Sequence, residues 1–113
     1  MNRVFTLMAS VLIATQSFAQ SPEKMSYQAI VRDASGNLVK NTSVGLRATI
    51  LKGSTTGSAS YIETQIPTTN SNGLITIEVG AGTFVNGNFS TINWANDSYY
   101  IKTQIDPTGG TTY

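Results

Sequence analysis

Hydrophobic residues along this chain follow two regimes. Val4 to Ile13 is a nearly continuous apolar run, whereas from Met25 onward apolar side chains recur at every second position. Recurrence with period two predicts half-buried β-strands. Met25 to Arg32 alternates and predicts a first strand, ended by Asp33-Ala34-Ser35-Gly36-Asn37. There Asp33 can accept backbone N–H groups in an Asx turn while Gly36 or Asn37 takes positive φ. Beyond Leu38-Val39, the residues Val44, Leu46, Ala48 and Ile50 share one face, with Gly45, Arg47 and Thr49 opposite. Tyr61 to Ile66 resumes the pattern after a Gly/Ser/Thr break, and Pro67 withdraws a ladder donor, which suits an edge or an irregular position. Asn72-Gly73 ahead of Leu74 to Val79 is the strongest hairpin signal in the chain, with Ile75, Ile77 and Val79 on one face. Phe84-Val85 forms a weak strand or loop between Gly80-Ala81-Gly82 and Asn86-Gly87-Asn88. Phe89, Ile92 and Trp94 occupy a polar connection compatible with one short helical turn. Tyr99, Ile101 and Ile105 then line one side of a last strand, with Tyr100, Lys102 and Gln104 on the other, before Asp106-Pro107-Thr108-Gly109-Gly110 turns the chain again.

Short strands separated by turn signals, with no amphipathic helix after the apolar run, predict an all-β domain. The expected architecture is a single Ig-like or transthyretin-like Greek-key β-sandwich preceded by a signal-peptide helix. Its expected core is Val44, Leu46, Ile50, Ile75, Ile77, Val79, Trp94, Tyr99 and Ile101, with turns set by Gly36, Asn72 and Gly73. Thr111-Thr112-Tyr113 has the composition of one more strand, so the domain is expected to be truncated at its C-terminal end, because an unpaired strand edge invites association.

The first regime changes the picture of where this domain works. Arg3, the apolar run and the small residues ending at Ser17-Phe18-Ala19 stand in the order of a secretory signal peptide. The run is about half the ~20 residues that a spanning helix needs. Residues 1–19 therefore read as a cleaved leader and 20–113 as the β-sandwich domain, secreted or held at the cell surface. The mature segment of 113 − 19 = 94 residues suits one domain with one core. With no cysteine in the chain there is no site for a lipid anchor and no disulfide, so packing and sheet hydrogen bonds carry the stability. After Ala19 the basic residues Lys24, Arg32, Lys40, Arg47, Lys52 and Lys102 balance the acidic Glu23, Asp33, Glu63, Glu78, Asp97 and Asp106. Scattered charge of zero net sign argues against nucleic acid and, once the leader is removed, against a membrane surface.

Chemistry is sparse. A chain without His or Cys has no Ser-His-Asp or Cys-His nucleophile and no nitrogen or sulfur metal ligands, so neither a catalytic residue, a metal site nor a cofactor is expected. Glu63 and Glu78, on the two arms of the expected Asn72-Gly73 hairpin, are the best carboxylate pair. A two-residue turn pairing Ser71 with Leu74 sets them ~13 Å apart at ~3.3 Å per residue. Glycosidase centres need about 5 to 9.5 Å, so both read as solvated charges on outward faces. Asp33, Asn37, Asn70, Asn72 and Asp97 could offer oxygen to calcium, but isolated acids in loops fit Asx turns better. Trp94, Tyr99 and Tyr100 could stack a sugar; Trp94 and Tyr99 read rather as core, leaving Tyr100 as the weak candidate for ligand binding.

Val31-Arg32-Asp33-Ala34-Ser35-Gly36-Asn37-Leu38, Thr69-Asn70-Ser71-Asn72-Gly73-Leu74 and Tyr99-Tyr100-Ile101 resemble landmarks of carboxypeptidase-regulatory-like and Cna B-type transthyretin-like sandwiches. Met25 to Asp33, with Phe89-Ser90-Thr91-Ile92-Asn93-Trp94 and Asp106 to Gly110, resembles the N-terminal module of large secreted or surface proteins of Bacteroidetes-type bacteria. That resemblance implies a building block whose partners are downstream domains of the same polypeptide or other surface proteins, and it carries over no catalytic residue. The expected function is a non-catalytic structural or interaction module, with a carbohydrate-binding module as the alternative.

Overall fold

A computed structural model describes residues 24–113; the leader expected at residues 1–19 lies outside them. Six strands follow in order: β1 (Met25–Ile30), β2 (Gly45–Lys52), β3 (Ser58–Gln65), β4 (Leu74–Val79), β5 (Thr83–Gly87) and β6 (Tyr99–Asp106), with one 3₁₀ turn at Phe89–Thr91 before β6. They form two antiparallel sheets, a two-stranded one in the order β1-β4 and a four-stranded one in the order β5-β3-β2-β6. The chain is an all-β sandwich.

Alternation in sequence becomes facing in space. In the large sheet Leu46 lies opposite Gln65 and Ile105, Ala48 opposite Glu63 and Thr103, and Ile50 opposite Tyr61 and Ile101, so these residues share the inner face. From the small sheet Ile75, Ile77 and Val79 meet them, with Met25, Tyr27 and Ala29 partly buried beside them. The Tyr27 hydroxyl lies 3.0 Å from that of Thr103, which places β1 on the β6 side of the sandwich. Val31, Tyr61, Phe89 and Ile92 complete the core. Phe89 and Ile92 lack any sequence period, yet the 3₁₀ turn tucks both side chains inward.

The Asn72-Gly73 turn forms, but it does not build the hairpin that the sequence predicts. Gly73 N–H bonds Asn70 C=O and Asn70 N–H bonds Leu74 C=O, both at 3.0 Å, with Gly73 at φ 75°. This is a three-residue loop with glycine in the left-handed position, so Leu74 faces Asn70 rather than Ser71. The pairing stops there because β4 runs on against β1, in register from Leu74 with Ile30 to Val79 with Met25. Beyond Gln65 the chain stays near residues 42–44 through Thr69 N–H to Thr42 C=O and Val44 N–H to Pro67 C=O, both 2.9 Å, and then crosses between sheets. Pro67 sits at that crossing, where no regular ladder needs its missing donor.

Ile101 departs from the expected core. It is on the inner face, yet 37% exposed, whereas Leu46 and Ile50 on the adjacent strand are sealed. The cause is topological: the two-stranded sheet is too narrow to cover β6, and among the described residues no strand lies on the edge of β1 away from β4 or beyond β6. Trp94 and Tyr99 are partly buried against the core rather than within it. Thr111-Thr112-Tyr113 forms no strand either; the Tyr113 ring lies 5.1 Å beneath the Arg47 guanidinium on the outer face.

Candidate functional site

The connection from β5 to β6 is held by a chain of rings. Tyr61, Phe89, Trp94 and Tyr99 meet edge to face at centroid distances of 5.3, 5.5 and 5.1 Å, a geometry worth about 0.5–1.5 kcal/mol per pair beyond burial. Asparagines fix the polar side of the same loop. Asn88 Oδ1 accepts the Ser90 N–H at 3.1 Å and the Ser90 hydroxyl at 2.8 Å, and Asn93 Oδ1 accepts the Ala95 N–H at 3.3 Å.

Two cavities meet at Tyr99. On one side is a polar cleft of about 330 Å³, lined among others by Lys52, Ser60, Asn88, Asn93 and Asn96. On the other is an apolar groove of about 300 Å³, lined by Met25, Ile50, Trp94, Tyr99, Tyr100 and Ile101. The groove opens where the free edges of β1 and β6 flank the uncovered inner face of β6. Unpaired edges carry rows of unused N–H and C=O groups, and the exposed inner-face isoleucine adds apolar area to them.

The residues expected to matter for chemistry are not brought together. Glu63 is buried at 0% exposure, correcting the reading of a solvated outward charge. Its Oε1 accepts the Tyr61 hydroxyl at 2.7 Å and the Gly80 N–H at 2.6 Å, and its Oε2 accepts the Gln65 amide. Glu78 instead points outward and pairs with Lys24 at 3.7 Å, an exposed contact worth about 0–1 kcal/mol. The pairing of β3 with β2 and β5, rather than with β4, is what separates the two acids. Gly82 packs against the buried carboxylate so closely that a Cβ there would stand 2.7 Å from Glu63 Oε2 and 2.6 Å from the Thr64 carbonyl. Sequence alternation in Tyr61, Glu63 and Gln65 was the available signal for this network, since it places all three on the inner face.

Three of the five loop residues considered for calcium turn a side-chain oxygen toward backbone N–H groups. Asp33 Oδ1 accepts from Ser35 and Asn37 at 2.9 Å each, Asn70 Oδ1 from Asn72 and Leu74 at 2.8 and 3.0 Å, and Asp97 Oδ1 from Ser98 at 2.7 Å. Tyr100, 41% exposed, lies opposite Leu51 on the other face of β6 from Tyr99, at the rim of the groove. Alternation along β6 therefore does not assemble Tyr100 with Trp94 and Tyr99 into one flat platform.

Residues 26–113 match the family described as Domain of unknown function (DUF8740). The chain belongs to this family. The match begins at the second residue of β1 and takes in every later strand of the DUF8740 domain. Neither a curated protein nor a solved structure matches the chain at a significant level.

The turn that follows β6 in the DUF8740 domain is organised by a carboxylate. Asp106 Oδ1 accepts the Thr108 hydroxyl at 2.6 Å and the Thr108 N–H at 3.0 Å, and Oδ2 accepts the Thr112 N–H at 3.0 Å. The Thr108 hydroxyl first, then the Thr108 and Thr112 amides, favour the ionised form and hold the Asp106 pKa below its ordinary value. A carboxyl whose pKa is depressed by folding stabilises the native state above the ordinary aspartate range, near pH 4, and loses that contribution as pH falls through its folded value. Asp106→Asn is thus expected to be less stable than the parent at neutral pH, with the gap in melting temperature closing on acidification. Melts across a pH series decide it, and a gap independent of pH counts against this assignment.

Proposed function

We propose that this chain is an exported, non-catalytic structural and interaction module, the first part of a larger extracellular or cell-surface protein, and that it docks to its neighbours through the open side of the sandwich. Export rests on the order of Arg3, the apolar run and Ser17-Phe18-Ala19. Action by contact rests on the absence of His and Cys and on the separation of Glu63 from Glu78. A transthyretin-like or Ig-like reading of the sandwich is supported by the crossing of the chain from β3 in one sheet to β4 in the other.

One observation carries the docking reading. Ile101 belongs to the inner face but is exposed beside an apolar groove, between two strand edges that have no partner among the described residues. A sheet of two strands is marginal, and an added strand beside β1 would cover Ile101 while using β1's free backbone groups. On this reading that strand comes from another part of the larger protein proposed above. Amide hydrogen exchange on this chain and on the larger protein tests it. Slowed exchange at the outward-facing amides of β1 or β6 in the larger protein supports the reading, and equal exchange in both proteins refutes it.

The carbohydrate alternative through Tyr100 has weaker support, because Tyr100 lies on the other face of β6 from Tyr99 and shares no platform with it. Tyr100→Ala is expected to leave any glycan-array signal unchanged. A signal abolished by this substitution would restore the platform.

A further inference from the structure

We infer that the polar cleft beside Tyr99 binds a carboxylated saccharide. This reading is independent of the open side of the sandwich, since the cleft lies on the other flank of Tyr99. Its walls come from the last residue of β2 (Lys52), from β3 (Ser60), from the connection (Asn88, Asn93, Asn96) and from the first residue of β6 (Tyr99).

These walls carry one ammonium and no carboxylate among their amide and hydroxyl groups. The oxygens of Asn88 and Asn93 accept from the N–H groups of Ser90 and Ala95, which assigns the amide orientation and leaves each Nδ2 with no protein partner among the described residues. Both amides are thereby held with their donors unused. Lys52 is in no ion pair among the described residues, and no acidic side chain lines the cleft. An ammonium beside fixed amide donors matches a carboxylate, to which each hydrogen bond is charge-assisted. A bare anion would leave the Tyr99 ring and the hydroxyl of Ser60 unused, and a neutral sugar would leave Lys52 without a counter-charge. A sugar acid offers the carboxylate, ring hydroxyls for Ser60 and the amides, and an apolar ring face for Tyr99. The cleft volume of about 330 Å³ is at the lower end for small-ligand sites, which are about 300–1,000 Å³.

The test is an NMR titration of the full chain with a short oligogalacturonate, the neutral oligogalactose of equal length, and acetate. Expected are saturable shifts of the Lys52, Asn93 and Asn96 amide signals with oligogalacturonate, much weaker ones with the other two probes, and about tenfold weaker binding for Lys52→Gln, the loss of one charge-assisted bond. Lys40→Gln, at an exposed position away from the cleft, should bind as the parent does. An equal response to the neutral sugar or to acetate overturns the proposal. So does silence with all three probes, or undiminished binding by Lys52→Gln.

Discussion

Glu63→Ala is expected to destabilise the domain by about 3 kcal/mol, a large part of the ~5–15 kcal/mol that holds a domain of this size. The carboxylate is fully buried, and its removal strands three donors at once: the Tyr61 hydroxyl, the Gly80 N–H and one Gln65 amide hydrogen. Each buried donor left unsatisfied costs about 1–3 kcal/mol, and the lost volume adds a cavity. Glu63→Gln keeps the shape and the Oε1 acceptor but sets an NH2 group against the Gln65 amide, so it should cost roughly half as much. Urea unfolding measures both, read as a lower midpoint at unchanged slope. A loss below about 1 kcal/mol for the alanine variant would mean that this network does not clamp the β4–β5 connection to β3.

The same network gives the protein an alkaline limit. Burial first, then the hydrogen bond to Glu63 and its charge, push the Tyr61 hydroxyl well above its ordinary pKa. A group whose pKa is raised by folding contributes stability that is complete below its unfolded value, about 10 for tyrosine, and is lost as pH rises toward the folded value. With Asp106 acting in the opposite sense at low pH, the stability profile should be flat through neutrality and fall at both ends.

How far the sequence reveals this molecule differs from element to element. β2 and β4 were legible because each buries one face completely, so Val44, Leu46, Ile50, Ile75, Ile77 and Val79 stand in strict alternation and all are core. Gly36 and Gly73 were legible as turn residues because positive φ selects glycine, and they take φ 85° and 75°. Strand partnership was not legible. A tight turn at Asn70–Gly73 is satisfied by local hydrogen bonds whether or not the arms continue as a pair, and here the arms belong to different sheets. That error carried Glu63 to the wrong side, since a carboxylate on a strand reads as solvated unless its inner-face partners are known. Phe89 and Ile92 were missed because an irregular connection buries residues without a period. The cleft was hidden for the same reason: Asn88, Asn93 and Asn96 reach Lys52 and Ser60 only through the path of the loop.

Leu46→Ala and Ile101→Ala, a pair of substitutions on the shared inner face of the adjoining strands β2 and β6, should separate what is closed in this sandwich from what is open. Leu46 is at 0% exposure between both flanking strands, so truncation leaves a cavity and should cost about 2–5 kcal/mol. Ile101 shares its face but is uncovered, and Ile101→Ala should cost about 1 kcal/mol, since solvent already touches the methyl groups to be removed. In the larger protein proposed above, the Leu46 penalty should stay where it is, because its surroundings are complete. The Ile101 penalty should rise toward it, because a strand seated beside β1 converts an exposed side chain into a core one. Equilibrium unfolding of the four variants, two in each length of chain, measures the difference. An Ile101 penalty that is already large in this chain would show that the groove is closed without help. One that stays small in the larger protein would show that no strand is seated on the open side, and the docking reading would fail at its central residue.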